Sequence, residues 1–193
     1  MSLLFTFIFG SVTALVAVAS LDYISGSPHK AEYYLLVTLA ATGMSLMASA
    51  NSLAVVFVSL ELASLPSYAL VGYLKKDRGS AEGALKYFLV GALSSGILVY
   101  GISLVYASTG SLLLADVAGS LGGAVDTYPG VLGVGLLMII GGFAFKTTSV
   151  PFHFWAPDAY EGAPAPIAGF LSSASKAAGF VVAFRVLLVG FPI

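Results

Sequence analysis

Apolar positions in this chain run together; they do not recur at the three-or-four-residue interval of a surface helix. The runs lie near 4–22, 32–49, 52–73, 80–107, 131–148 and 164–190, with short polar stretches between them. A helix crosses the hydrocarbon of a bilayer with about 20 such residues. The pattern predicts an all-α fold, a polytopic transmembrane bundle of about six helices. One helix is expected to be broken, because the 131–148 run resumes past Pro151 and continues to about 158. "SGSPHK" and "LKKDRGS" read as polar loops, and "SANS" as a tight turn. Residues 108–130, "STGSLLLADVAGSLGGAVDTYPG", read as a longer loop with one short amphipathic turn from Leu112 to Val117.

The loops fall on two sides. Residues 23–31, 74–79 and 159–163 share a side that holds Lys30, Lys75, Lys76 and Arg78, whereas 50–51 and 108–130 carry no Lys or Arg. The excess of basic residues predicts that the first side is cytoplasmic and that the N-terminus lies outside. The opening 26 residues lack a positive leader, since the first basic residue is Lys30, so they read as a spanning helix and not as a signal peptide. Tyr33, Tyr34, Tyr73, Tyr106, Tyr128 and Tyr160 stand near the expected helix ends, as interfacial aromatics do.

Composition narrows the function. Of 193 residues, 59% are hydrophobic and 9% charged, where soluble domains are charged at about a quarter of positions. The chain therefore reads as a multi-pass integral membrane protein. A net charge of −1 argues against nucleic acid as a partner. The absence of cysteine removes disulfides, thiolate metal sites and cysteine nucleophiles. Two histidines without H-E-x-x-H spacing offer no metal site. No glycine-rich nucleotide fingerprint is present.

Glu61, Lys86, Lys146 and Lys176 fall inside the apolar runs. Each costs roughly 3 kcal/mol at mid-bilayer, so such groups face a protein interior or a wet cavity. At a rise of about 1.5 Å per residue, Glu61 lies about 14 Å deep, Lys176 about 18 Å and Lys146 about 22 Å from the opposite face. Lys86 is shallower, at about 9 Å. The spacing suggests ionisable groups lying along the membrane plane. Each has a plainer reading. Lys86 could snorkel or pair with Glu82 one turn earlier. Glu61 and a lysine could form a fixed structural pair. Arg185, near the outer end of its helix, reads as an interfacial anchor.

The neighbours of these charges suit a polar interior. Ser64 and Tyr68 follow Glu61 at i+3 and i+7, Ser172 and Ser173 precede Lys176, and Gly142 precedes Lys146 by one turn. Pro66 removes a helical donor beside Glu61. Pro151 is expected to do the same to the carbonyl of Thr147, next to Lys146. Thr147, Thr148 and Ser149 could bond the freed carbonyls. His153 could relay protons near neutral pH or could be a packing histidine.

"FKTTSVPFHFWAPDAYEGAPAPIAGFLSSASKAAGF", with "VSLELASLPSYALVGY" and "ALKYFLVGALSSG", resembles subunit N (subunit 2) of respiratory complex I, the NADH-quinone oxidoreductase. That subunit belongs to the antiporter-like family shared with multisubunit cation/proton antiporters and membrane-bound hydrogenases. The likeness runs from about residue 30 to 190. Lys176 in "SASKAAG" favours the subunit N branch, since related branches typically carry histidine there. The resemblance implies proton-transfer roles for Glu61, Lys86, Lys146 and Lys176 along a membrane-plane hydrophilic axis. It implies no cofactor in this chain, with NADH, FMN, Fe-S clusters and quinone bound in other subunits. It implies antiporter-like neighbouring subunits, lipid and protons as partners, in an energy-transducing inner membrane.

By that likeness, residues 1–30 form a preceding helix and loop, and 31–193 the first of two inverted repeats, one half-channel. The family's first two helices and its second repeat have no counterpart. The ending "VGFPI", directly after a spanning helix, favours a fragment of a longer product over a subunit completed by a second chain. Proton translocation driven by redox energy from elsewhere is the expected function. A sodium/proton antiporter subunit and a non-catalytic scaffold bundle are the alternatives.

Overall fold

The computed structural model describes residues 2–192. Among the described residues, six helices are long and apolar enough to cross a membrane: α1 (Ser2–Tyr23), α2 (Lys30–Ser49), α3 (Leu53–Val71), α4 (Arg78–Thr109), α6 (Pro129–Lys146) and α8 (Ala165–Gly190). Two further helices are shorter, α5 (Leu114–Thr127) and α7 (Ala156–Gly162).

The helix ends follow local chemistry. The Ser52 side chain accepts a hydrogen bond from the Ala54 N–H at 3.3 Å, which caps α3. Asp77 does the same for α4, accepting from the Gly79 N–H at 3.0 Å. Gly110, at φ 76°, closes α4 in the left-handed region. Pro129 opens α6, where its missing N–H costs nothing.

α4 is the central element. It packs most extensively on α6 and also meets α3 and α7. α2 lies between α3 and α1, and α8 crosses behind it. α1 is peripheral and exposes Leu3, Phe7, Leu15 and Val18, an apolar face suited to lipid or a partner helix. Arg185 of α8 is not the interfacial anchor expected. Its guanidinium donates to the carbonyls of Ala48 and Ala50 and to the Asn51 side chain. These are carbonyls that the C-terminus of α2 leaves without helical donors.

Three further expectations need correction. The 108–130 loop contains a 14-residue helix, α5, in place of one short turn. It packs on the outer end of α8, and tertiary contact that the short run did not advertise buries Leu114, Val117 and Ala124. The expected 159–163 loop is largely inside α7. Pro151 does not interrupt a helix, because α6 has already ended at Lys146. The ending is a Schellman motif: Ser149 N–H donates to Ala144 O at 2.8 Å and Thr148 N–H to Phe145 O at 3.1 Å. The left-handed position of that motif is filled by Thr148, at φ 59°. The Val150–Pro151 bond is cis.

Candidate functional site

The site is built where α3, α4, α6 and α8 meet. Lys146, the last residue of α6, is 2% exposed. Its Nζ donates to Ser64 Oγ on α3 at 3.0 Å, and Ser64 in turn donates to Leu60 O at 2.7 Å. An ammonium has three N–H donors, and within this chain one is used. The stem of Lys146 lies against the backbone of α8. A Cβ on Gly179 would sit 3.1 Å from its Cγ, so glycine there is what lets the two elements close on the lysine.

Glu61, half-buried on α3, accepts a hydrogen bond from Ser95 Oγ on α4. Ser64, three residues on, faces Lys146 instead. The acid and the amine therefore engage different serines and make no direct ion pair. Pro66 is buried within α3, which runs unbroken from Leu53 to Val71, so the helix defect expected there does not interrupt the helix.

Lys176 follows a π-helical turn, Leu171–Ser175, that widens α8 just before it. Its Nζ lies 5.3 Å from the centroid of the Tyr160 ring, a cation–π contact. Ser172 and Ser173 do not serve it; both are exposed and both donate to Gly169 O. Between Tyr160 and the Lys146 region stands an aromatic stack. Tyr160 meets Trp155 at 6.0 Å, Trp155 stacks on Tyr87 at 4.1 Å, and Tyr87 meets Tyr68 edge-on at 4.5 Å.

Lys86 is set apart from this buried group. It is half-exposed, with Nζ 2.6 Å from Glu82 and 2.9 Å from Asp158 of α7. The Glu82 pair was legible as an i,i+4 spacing; Asp158 was not, since it lies 72 residues away. With Asp77 and Glu161, Glu82 and Asp158 line an open cavity of about 320 Å³ at that end of the bundle. His153 is exposed in the segment between α6 and α7 and bonds to neither Lys146 nor Glu61. Among the described residues no group of three or more His, Cys, Asp or Glu is placed to hold a metal ion.

Residues 50–192 fit the model of the NADH:quinone oxidoreductase/Mrp antiporter transmembrane family. The chain belongs to that family.

It is 44% identical to NADH-quinone oxidoreductase subunit N of Heliobacterium modesticaldum, over 96% of this chain and 39% of the relative. It is 40% identical to F(420)H(2) dehydrogenase subunit N of Methanosarcina mazei, over 98% of this chain and 38% of the relative. The fold superposes on a chain of respiratory complex I from Thermus thermophilus with a TM-score of 0.78 at 37% identity, covering 94% of this chain and 39% of that one. The sequence thus spans about two fifths of the length of these relatives. Family membership and the six spans make it an integral membrane protein.

Proposed function

We propose that this chain carries one repeat, residues 31–193, of a proton-translocating subunit in an NADH-quinone oxidoreductase-type membrane complex. Glu61, Lys146 and Lys176 are its proton-transfer groups. The observation that carries this reading is Lys146: an amine 2% exposed, held by Ser64 of α3, one turn beyond Glu61 on that helix. A buried cation without a direct counter-ion is costly and is retained where its charge state is used.

The working cycle is electrostatic. A charge arriving in a neighbouring subunit draws on Lys146 and weakens the hold of Glu61. Lys146 then passes its proton toward Lys176, whose ammonium the Tyr160 ring receives. Lys86, with Glu82 and Asp158, stands at the polar end, where protons enter or leave. His153, exposed and outside the buried hydrogen bonds, is not needed in this path. Electron transfer, with its NADH, FMN, Fe-S clusters and quinone, belongs to other subunits, and antiporter-like neighbours supply the driving charge.

The test is Lys146→Ala, and separately Glu61→Ala, in the assembled complex. Each is expected to lower protons moved per electron several-fold while the complex still assembles. Unchanged stoichiometry in both variants would overturn the reading. Since the family also includes Mrp antiporters, the competing reading is sodium/proton exchange. Sodium-dependent proton movement in proteoliposomes without any electron donor would select it.

A further inference from the structure

The short helix α7 lies along the first turns of α4 in a definite register. A Cβ on Gly162 would collide with the carbonyl oxygen of Gly79, and one on Gly83 would lie 2.5 Å from that of Asp158. Tyr87 stacks on Trp155, the residue before α7, at 4.1 Å. The α4 positions rise from 79 to 87 while their partners fall from 162 to 155, so the two helices run antiparallel with their backbones in contact.

Bare backbone contact sets how close two helices come, but glycine offers no side chain to stop one sliding along the other. Lys86 supplies the stop. It neighbours Tyr87 on α4, and its Nζ reaches Asp158 at 2.9 Å. Glu82, one turn earlier on α4, holds the same Nζ at 2.6 Å and so aims it. The Lys86 and Asp158 side chains are 42% and 41% exposed, and exposed ion pairs add little to stability. What the pair supplies is alignment. Tyr160 follows Asp158 by two residues, about 200° around the helix, and its ring meets Lys176 Nζ at 5.3 Å. Thus α7 has Lys86 on one flank and Lys176 on the other.

We propose that Lys86 is a positioning residue: its pair with Asp158 fixes the register of α7 on α4 and so holds the Tyr160 ring against Lys176. This rests on the translocation reading above, and it replaces the proton-transfer role that the resemblance implies for Lys86. A proton carrier must release its proton, whereas an aligning cation needs only to keep its charge and its reach. Arginine separates the two, since it spans a similar length, pairs with carboxylates and stays protonated throughout the working pH range.

The experiment compares Lys86→Met, Lys86→Arg and Asp158→Asn in the assembled complex, with Lys146→Ala as the reference. Lys86→Met and Asp158→Asn are expected to lower protons per electron by a similar factor of several-fold, and the double variant to be no worse than either. Lys86→Arg is expected to keep most of what Lys86→Met loses. A map of the Asp158→Asn complex is expected to show the Tyr160 ring shifted away from Lys176. The proposal is overturned if Lys86→Arg pumps as poorly as Lys86→Met, which makes Lys86 a carrier, or if Asp158→Asn pumps normally. Should Lys86→Met fail to assemble, the arginine and asparagine variants decide alone. If Lys146→Ala stops pumping while Lys86→Met does not, the alignment role fails by itself. If Lys146→Ala also pumps normally, the translocation reading fails with it.

Discussion

Thr148 shows how much one residue can hold. A β-branched residue in the left-handed region is strained by roughly 1–2 kcal/mol, and glycine is the usual occupant of that helix-ending position. Its Oγ1 is also buried without a partner. Thr148→Gly is therefore expected to stabilise the protein by about 1 kcal/mol, read as a higher thermal unfolding midpoint of the purified protein. A lower midpoint would mean that the hydroxyl is satisfied in the assembled protein. Arg185 makes the contrary case. Arg185→Met removes the donors that satisfy Ala48 O and Ala50 O, and it should cost about 2 kcal/mol. A lipid-facing anchor would tolerate the same change with little loss of stability.

Elements meet here by close backbone approach. A Cβ on Gly83 of α4 would lie 2.5 Å from the carbonyl oxygen of Asp158, so α7 rests directly on the α4 backbone. Gly83→Val is expected to pry the two apart at a cost of about 1–3 kcal/mol, and to take Asp158 out of reach of Lys86. A thermal melt of the variant measures the first effect. The loss of the Lys86–Asp158 pair in its structure shows the second. Glu82 remains with Lys86 in either case, being on the same helix. α7 itself is only 7 residues long and is held by tertiary contact, since helices this short are unstable alone.

The whole molecule should sit in the membrane with its basic loops on one side. Lys75 and Lys76 lie in the loop between α3 and α4, and Asp126 lies near the end of α5. Because the chain has no cysteine, single substitutions Lys76→Cys and Asp126→Cys report sidedness directly. An impermeant thiol reagent added to right-side-out vesicles is expected to label Asp126→Cys and to spare Lys76→Cys, with the pattern reversed in inverted vesicles. Labelling of both from the same side would overturn the topology.

The amino-acid sequence by itself determined the number of spanning helices, their approximate limits and the candidate charges. Length and hydropathy decide whether a segment can leave water, and a charge inside such a segment is visible without coordinates. That the chain leaves its helix near Lys146 was legible, but Pro151 does not cause it. The helix ends in a Schellman turn at Thr148, a choice made by backbone hydrogen bonds that no residue type announces. Only the tertiary structure decided which serine serves which charge. Ser64 follows Glu61 by one turn yet bonds Lys146, and Ser95, 34 residues from Glu61, supplies the acid. Partners across helices depend on rotation and crossing, which periodicity within one helix does not encode. Asp158 beside Lys86, Tyr160 beneath Lys176 and the Tyr68 hydroxyl in the notch of Gly91 became neighbours for the same reason.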